Sequence, residues 1–315
     1  MTKRPLVSIV TPFYNEEGSI LGFHQAITKA LANLTDFDFE FICVNDGSND
    51  KTLDELLECV HQDSRYFVLE LSRNFGKEAA MSAGIDHAKG DCVIPIDADL
   101  QDPPQLIGKM LSEWEKGAEV VLARRVDRST DSFAKRTSAL MFYRLHNAVS
   151  SLKIPENVGD FRLMDRIVVD ALKKLPERQR FMKGLFAWLG FRTVTVEYIR
   201  EPRAVGSSKF SGWKLWNFAI EGVTSFSLVP LKVWTYIGAF GSLFALCYAS
   251  FIIVRTMIFG IDIPGYASLL VVMLFFGSLQ LMSLGVIGEY IGRIYFESKQ
   301  RPLYIIRKSY KSEKL

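Results

Sequence analysis

The chain has 315 residues, a formal net charge of +3 at pH 7 and 49% hydrophobic residues. So small a charge, with no Lys/Arg block to follow a phosphate backbone, argues against nucleic acid as the partner. The average conceals a split. Charges are spread evenly from Met1 to about Arg203, whereas Val229 to Ile287 is almost uniformly apolar, which predicts a globular domain followed by a membrane-embedded part.

The opening MTKRPLVSIV has a short apolar run that stops at Pro12 and lacks a small-residue cleavage site, so no signal peptide is expected. Cys43, Cys59, Cys92 and Cys247 show no C-x-x-C pairing and read as inert, reduced thiols. The four histidines are scattered without H-x-x-x-H spacing, which argues against a histidine or thiolate metal site.

Apolar runs then alternate with segments of helical period. Strands are expected at about Val7–Thr11, Glu40–Val44, Phe67–Leu71, Cys92–Ile96 and Val120–Ala123. Helices are expected near Gly18–Asn33, Thr52–Gln62, Glu78–His87 and Pro103–Lys116. Such alternation predicts an α/β, doubly wound, mostly parallel sheet with right-handed crossovers, and ligands in such sheets bind beyond the carboxyl ends of the strands. Asn15, Glu16, Asp46, Gly47, Asp97 and Asp99 all fall at that edge.

After Arg125 a helix is expected near Phe133–Val149, then a loop through KIPENVGDF and shorter elements to about Pro202. RAVGSSKFSGWK reads as a mobile loop. It leads to an aromatic-faced helix at Trp213–Leu228, expected to lie in a membrane interface. Val233–Val254 and Ala267–Ile287 are each long enough to cross a bilayer. The connector FGIDIPGY lacks Lys and Arg, though Arg255 lies at the first span's end, while the segment after the second span carries seven, so the tail and the globular domain are expected on the cytoplasmic side, in a multi-pass protein. Gly285, Gly288 and Gly292 stripe one face of the second span, a spacing compatible with a homo-oligomer. The expected organisation is a globular domain over 1–205, a loop and interfacial helix over 206–230, two spans within 231–292 and a basic tail over 293–315.

The chemistry concentrates in PIDADLQDPP. In extended geometry Asp97 and Asp99 project to one side with Gln101 in line. Oxygen donors so gathered suit a hard divalent cation, Mg²⁺ or Mn²⁺, with bridging phosphates. Asp102, followed by proline, is expected to cap the next helix. Tyr14 offers a stacking surface, and Glu16 and Asp46 offer acceptors for a base edge or ribose hydroxyls, though either acid also suits a helix N-cap.

The motifs TPFYNEE, VNDGSNDKT, SRNFGKEAAMSAG, DADLQDPP, VGDFRLMDR, SSKFSGWKLWN and GVIGEYIGRIYFESKQRP, in order over essentially the whole chain, resemble the polyprenyl-phosphate glycosyltransferases of the inverting GT-A type, nearest to bactoprenol glucosyl transferases. That resemblance implies a GT-A domain and transfer of a hexose, with inversion, from a nucleotide sugar to a membrane-embedded polyprenyl (undecaprenyl) phosphate. UDP-glucose is the leading donor. GDP-mannose, UDP-N-acetylhexosamine and UDP-amino-arabinose stay open, as does an inactive scaffold for a flippase or second transferase. It implies that Asp99 and Gln101 hold the metal, that Asp97 and Ala98 meet the nucleotide sugar, and that Pro12, Tyr14, Glu16 and Asp46 line the nucleoside pocket. Asp160 matches the proposed catalytic base, although a phosphate monoester with a second pKa of about 6 needs little base catalysis. By the same analogy Arg124 or Arg125, with Lys135 or Arg136, would hold the lipid phosphate, and Ser208 and Lys209 would close over the diphosphate. Lys77 carries no firm role. No Q-x-x-R-W motif occurs, which argues against processive polysaccharide synthesis. The implied setting is the bacterial inner membrane.

Overall fold

The computed structural model describes residues 4–126, 158–175, 177, 182–198, 229–259 and 265–312. The helices expected at 133–149 and 213–228, and with them Lys135, Arg136, Ser208 and Lys209, lie outside the described residues.

Strand β1 (Leu6–Phe13) pairs in parallel with β2 (Asp38–Asn45) on one side and β4 (Cys92–Pro95) on the other, and β3 (Tyr66–Leu71) extends the sheet beyond β2. Helices α1 (Ile20–Leu31), α2 (Thr52–Gln62) and α3 (Lys77–His87) join these strands in turn, and α4 (Leu106–Glu115) leads to β5 (Val120–Arg125). Successive strand residues point to opposite faces. Val7, Ile9, Phe41 and Cys43 enter one apolar layer with α1, α2 and α4, while Val10, Ile42 and Val44 enter the other with α3. Both faces are therefore covered, which is why these strands read as continuous apolar runs. Each fully buried Val, Ile, Leu or Phe stabilises the layer by roughly 1.5–3 kcal/mol.

Two more strands complete this side. β6 (Val158–Asp165) runs into α5 (Arg166–Lys173), and after α6 (Met182–Trp188) comes β7 (Thr193–Tyr198). The order across the sheet is β7-β5-β6-β4-β1-β2-β3-β8, where β8 is Ile306–Lys311. β6 lies between β4 and β5 and is antiparallel to both, so it starts where its neighbours end. The loop expected through VGDF is thus the beginning of a central strand.

Within the basic tail expected at 293–315, Ile306–Lys311 forms β8, antiparallel to β3, a strand that the sequence reading did not assign. The carboxylate of Glu70, on β3, accepts from the Tyr310 hydroxyl at 2.8 Å and from the Arg307 guanidinium at 3.1 Å. Charged outward residues are how edge strands avoid further pairing, and here they hid the strand.

Between β7 and β8 run two long helices, α7 (Val229–Phe259) and α8 (Tyr266–Ser298), of 31 and 33 residues. At 1.5 Å per residue they are about 46 and 50 Å long. They meet as a hairpin, with a Cβ at Gly241 falling 3.5 Å from the Phe276 ring. Their outer surface is apolar, Phe240, Met257 and Phe259 being 75%, 83% and 79% exposed. Among the described residues no helix is long and apolar enough to cross a membrane. The spans expected at 233–254 and 267–287 lie inside these helices but are not supported on that criterion. Gly285, Gly288 and Gly292 face open space.

Candidate active site

Every described candidate lies at the carboxyl edge of the parallel strands. The loops after β1 and β2 are tied into one rim: the Asn15 N–H donates to Ser48 Oγ at 3.1 Å, the Asn49 N–H to Asn15 Oδ1 at 3.0 Å, and the Gly18 N–H to Glu55 at 2.9 Å. Asn15 holds a left-handed backbone, φ 53°, a conformation its short polar side chain tolerates. Next to it Tyr14 is 43% exposed, presenting its ring to solvent. Pro12 is half-buried at the end of β1. The Glu16 N–H donates to Thr52 Oγ1 at 2.9 Å, and its carboxylate accepts from Ser19 Oγ at 3.3 Å.

Asp46 behaves differently from a ligand-facing acceptor. It is buried, and its two oxygens accept from the Phe75 N–H at 2.7 Å and the Gly76 N–H at 2.9 Å. Burial raises its pKa, and the two backbone donors offset part of that rise. Its carboxylate fastens the β3–α3 loop to β2, and that loop delivers Lys77. The adjoining Gly47 sits at φ 65°, where an added Cβ would fall 2.4 Å from the Arg73 carbonyl carbon and 2.6 Å from the Asn74 nitrogen.

At the end of β4 the extended geometry expected for the acidic residues does not hold. The strand stops at Pro95, Ala98 and Asp99 form a turn, and Leu100 has φ 52°. The Gln101 N–H folds back onto Asp99 Oδ1 at 3.2 Å, so Asp99 and Gln101 sit on one tight turn rather than along a line. Asp102 is not the cap of α4, whose N-cap position is Gln105. Proline at 103 and 104 delays the helix, and buried Asp102 accepts a hydrogen bond from the Tyr198 hydroxyl on β7.

The centre of the site is a contact that sequence reasoning left unassigned. Lys77 Nζ lies 2.7 Å from Asp97 Oδ1 and 2.7 Å from Asp160 Oδ2. Topology explains the meeting. β6 is antiparallel to β4 in a register pairing Cys92 with Asp165 and Val93 with Met164; continued outward, that register sets Asp160 opposite Asp97. Lys77 opens α3, where the helix dipole disfavours a cation, and the two carboxylates offset that cost. Burial works to lower the lysine's pKa, but Asp160 and Asp97 overcome it and hold the pKa well above the usual lysine range. The ammonium therefore stays charged at neutral pH.

Below lies Arg162, buried, its guanidinium donating to the Gly159 carbonyl at 2.6 Å and stacked 3.9 Å over the Phe186 ring. Burial pulls its pKa down to about 10, against the opposing pull of Asp160 and Glu78. Asp160 is thus in contact with one cation, Lys77, and within the field of a second, Arg162.

On β5, Arg124 pairs with Glu197 across the β5–β7 ladder, and Arg125 beside it is half-buried. Cys43, Cys59 and Cys92 are buried free thiols, as expected, and Cys247 is exposed on α7. Burial pushes the Cys59 thiol up to about 11, with Glu58, Glu55 and Asp63 adding to it.

Residues 8–173 match the family model described as glycosyl transferase family 2. The chain is 54% identical over 95% of its length to an uncharacterized glycosyltransferase of Synechocystis, covering 94% of that protein. It is 51% identical over 97% of its length to a prophage-derived bactoprenol glucosyl transferase of Shigella flexneri, covering 98% of it. Among solved structures, a mannosyltransferase from Pyrobaculum calidifontis in complex with GDP-Man and Mn²⁺ aligns with 17% identity and a TM-score of 0.47 over 96% of this chain and 86% of that one.

Proposed function

Since this chain belongs to glycosyl transferase family 2, we propose that it transfers glucose from UDP-glucose, with inversion, to undecaprenyl phosphate, giving a lipid-linked sugar for cell-envelope or O-antigen glycosylation. The likeness over nearly the whole chain to a bactoprenol glucosyl transferase carries this reading. The gathering of Asp97, Asp160 and Lys77 at the carboxyl edge supports it with a place for the reacting carbon.

In this reading the nucleoside lies on the rim formed by Pro12, Tyr14 and Glu16, with Asp46 shaping the rim from beneath. Asp97 and Ala98 bear on the donor sugar and diphosphate, and Ser208 and Lys209 belong to the segment that closes over them. An oxygen of the acceptor phosphate attacks the anomeric carbon as its bond to UDP breaks, and the electron pair of that bond leaves on the UDP oxygen. The attacking oxygen needs no deprotonation, because a monoester with a second pKa of about 6 is largely dianionic at neutral pH. Asp160, fixed by Lys77 and backed by Arg162, orients the sugar and acceptor at that carbon.

Asp99 and Gln101 would hold Mg²⁺ or Mn²⁺. Their single tight turn offers hard oxygen donors and one carboxylate, which suits an ion that completes its shell with substrate phosphates and water. Among the described residues no group of three or more His, Cys, Asp or Glu could hold a metal ion, so the protein's share of such a shell is small. When bound, the ion would stabilise the charge gathering on departing UDP.

The acceptor implies a bilayer. We read α7 and α8 as crossing it at 233–254 and 267–287 in the bacterial inner membrane, a reading that rests on the apolar run of the sequence and on the acceptor, with the exposed apolar faces and the return of the tail to the catalytic sheet in support. The full chain, with Mg²⁺ and undecaprenyl phosphate, is to be offered a panel of labelled nucleotide sugars. Lipid-linked glucose from UDP-glucose is the expected product. The absence of lipid-linked product from any donor overturns the reading, and preference for another sugar replaces glucose with it.

A further inference from the structure

A cavity of about 710 Å³ lies between the β3–α3 loop and the chain leaving α8. Its walls carry four cations, Arg73, Lys77, Lys299 and Arg301, beside apolar Phe296 and Leu303. The acid on its wall, Glu78, acts on buried Arg162. Lys77, which grips Asp97 and Asp160, is shared between the cavity and the candidate active site.

Lys77 is held by carboxylates, whereas Arg73 and Lys299 lie over aromatic rings. The Arg73 guanidinium lies 4.0 Å over the Phe75 ring, and Lys299 Nζ lies 4.1 Å over the Tyr295 ring. Neither Lys299 nor Arg301 has a carboxylate partner among the described residues. Arg73 donates through Nη1 to the Asn74 carbonyl at 2.8 Å, which leaves the rest of its five-donor fork to offer a phosphate. The remaining wall is the apolar end of α8. A ligand fitting both halves is a phosphate monoester on an isoprenoid chain.

We propose that this cavity, in place of the Arg124 or Arg125 with Lys135 or Arg136 group that the resemblance implies, is the subsite that receives the acceptor's phosphate, with Arg73, Lys299 and Arg301 as its binding residues. The inference deepens the reading above and rests on it. Arg73 and Lys77 come from one loop and the first turn of α3, fastened by Asp46, while Lys299 and Arg301 come from the tail strap that β8 pins to β3. Phosphate seated between them lies beside the lysine that marks the reacting centre, and the isoprenoid chain leaves along Phe296 toward α8.

The test uses the full chain in detergent, titrated with farnesyl phosphate and followed by calorimetry, with farnesol, inorganic phosphate and phosphatidylglycerol vesicles as separate arms. The double variant Lys299→Ala/Arg301→Ala is expected to weaken farnesyl phosphate binding and raise the acceptor KM by about ten-fold or more, with UDP affinity unchanged. Arg73→Ala, on the opposite wall, is expected to shift both the same way. All three side chains are solvent-exposed, and a thermal melt of each variant checks that folding is intact. Unaltered farnesyl phosphate binding in both variants overturns the proposal. Equal loss of UDP affinity does so as well, as does equal displacement by phosphatidylglycerol, which marks a general headgroup site. Cation-dependent farnesyl phosphate binding in a protein that forms no lipid-linked sugar would leave this subsite standing while the transferase reading fell.

Discussion

Replacing Lys77 with methionine removes the one ammonium shared by Asp97 and Asp160. Both oxygens lie 2.7 Å from its nitrogen. They are therefore no more than about 5.4 Å apart, and at that separation two unit charges repel by about 3 kcal/mol at an effective dielectric of about 20. The lysine side chain is 45% exposed, so solvent screening reduces the figure to about 1–3 kcal/mol. Since 1.36 kcal/mol corresponds to one pH unit, the acid limb of kcat/KM should move up by roughly one to two units. The parent should show no such limb from the lysine side. A lysine with a folded pKa above its unfolded value contributes stability below the unfolded pKa and loses it only as pH rises through the folded one, which here lies far above neutrality. The assay is kcat/KM for sugar transfer from pH 5 to 9, with Lys77→Arg restoring most of the parent profile. An identical acid limb in Lys77→Met and parent would refute the reasoning, because the carboxylates would then not be coupled through this lysine.

Gly47→Ala forces a Cβ at positive φ to within 2.4 Å of backbone; a loss of about 2–4 kcal/mol is expected in unfolding measurements, with activity falling because the Arg73–Lys77 loop must shift. Tyr198→Phe takes a donor from buried Asp102. It should cost about 1–3 kcal/mol and raise the KM for the nucleotide sugar by loosening the Asp97–Gln101 turn, which steady-state kinetics would register. Glu70→Ala removes the acceptor shared by Tyr310 and Arg307 and should make the tail's backbone amides exchange with solvent faster than in the parent, measured by hydrogen exchange.

The alternation of strands and helices was legible because apolar, β-branched runs separated by helical periods leave few other solutions. Asp97 was legible for the same reason, since acids straight after a buried run mark the end of a strand. What the one-dimensional pattern concealed was non-local. Asp160 meets Asp97 only because β6 runs backwards between β4 and β5, and nothing in VGDF records which strands will flank it. Lys77 looked like any lysine on the first turn of a helix. Its signal lay in the mismatch between a cation and that end of the dipole. Asp102 followed by prolines imitated an N-cap, but two prolines in succession push the helix start to Leu106 and release the carboxylate to Tyr198.

The tail matters most for how the two parts of the protein work together. A basic segment after an apolar helix reads as a cytoplasmic tail. The pairing of Phe67 through Leu71 with Lys311 through Ile306 makes it a structural strand instead. The α7–α8 hairpin therefore leaves the catalytic domain after β7 and is returned to it at β3, at opposite ends of the same sheet order. A chain that starts and finishes its excursion on one folded domain must cross any bilayer an even number of times. That constraint on topology is independent of counting charges. It also fixes the end of α8 against the β3–α3 loop, and the wall between them carries Lys77. The same short strand thus closes the hairpin and brings a cationic, half-apolar cavity up to the two carboxylates.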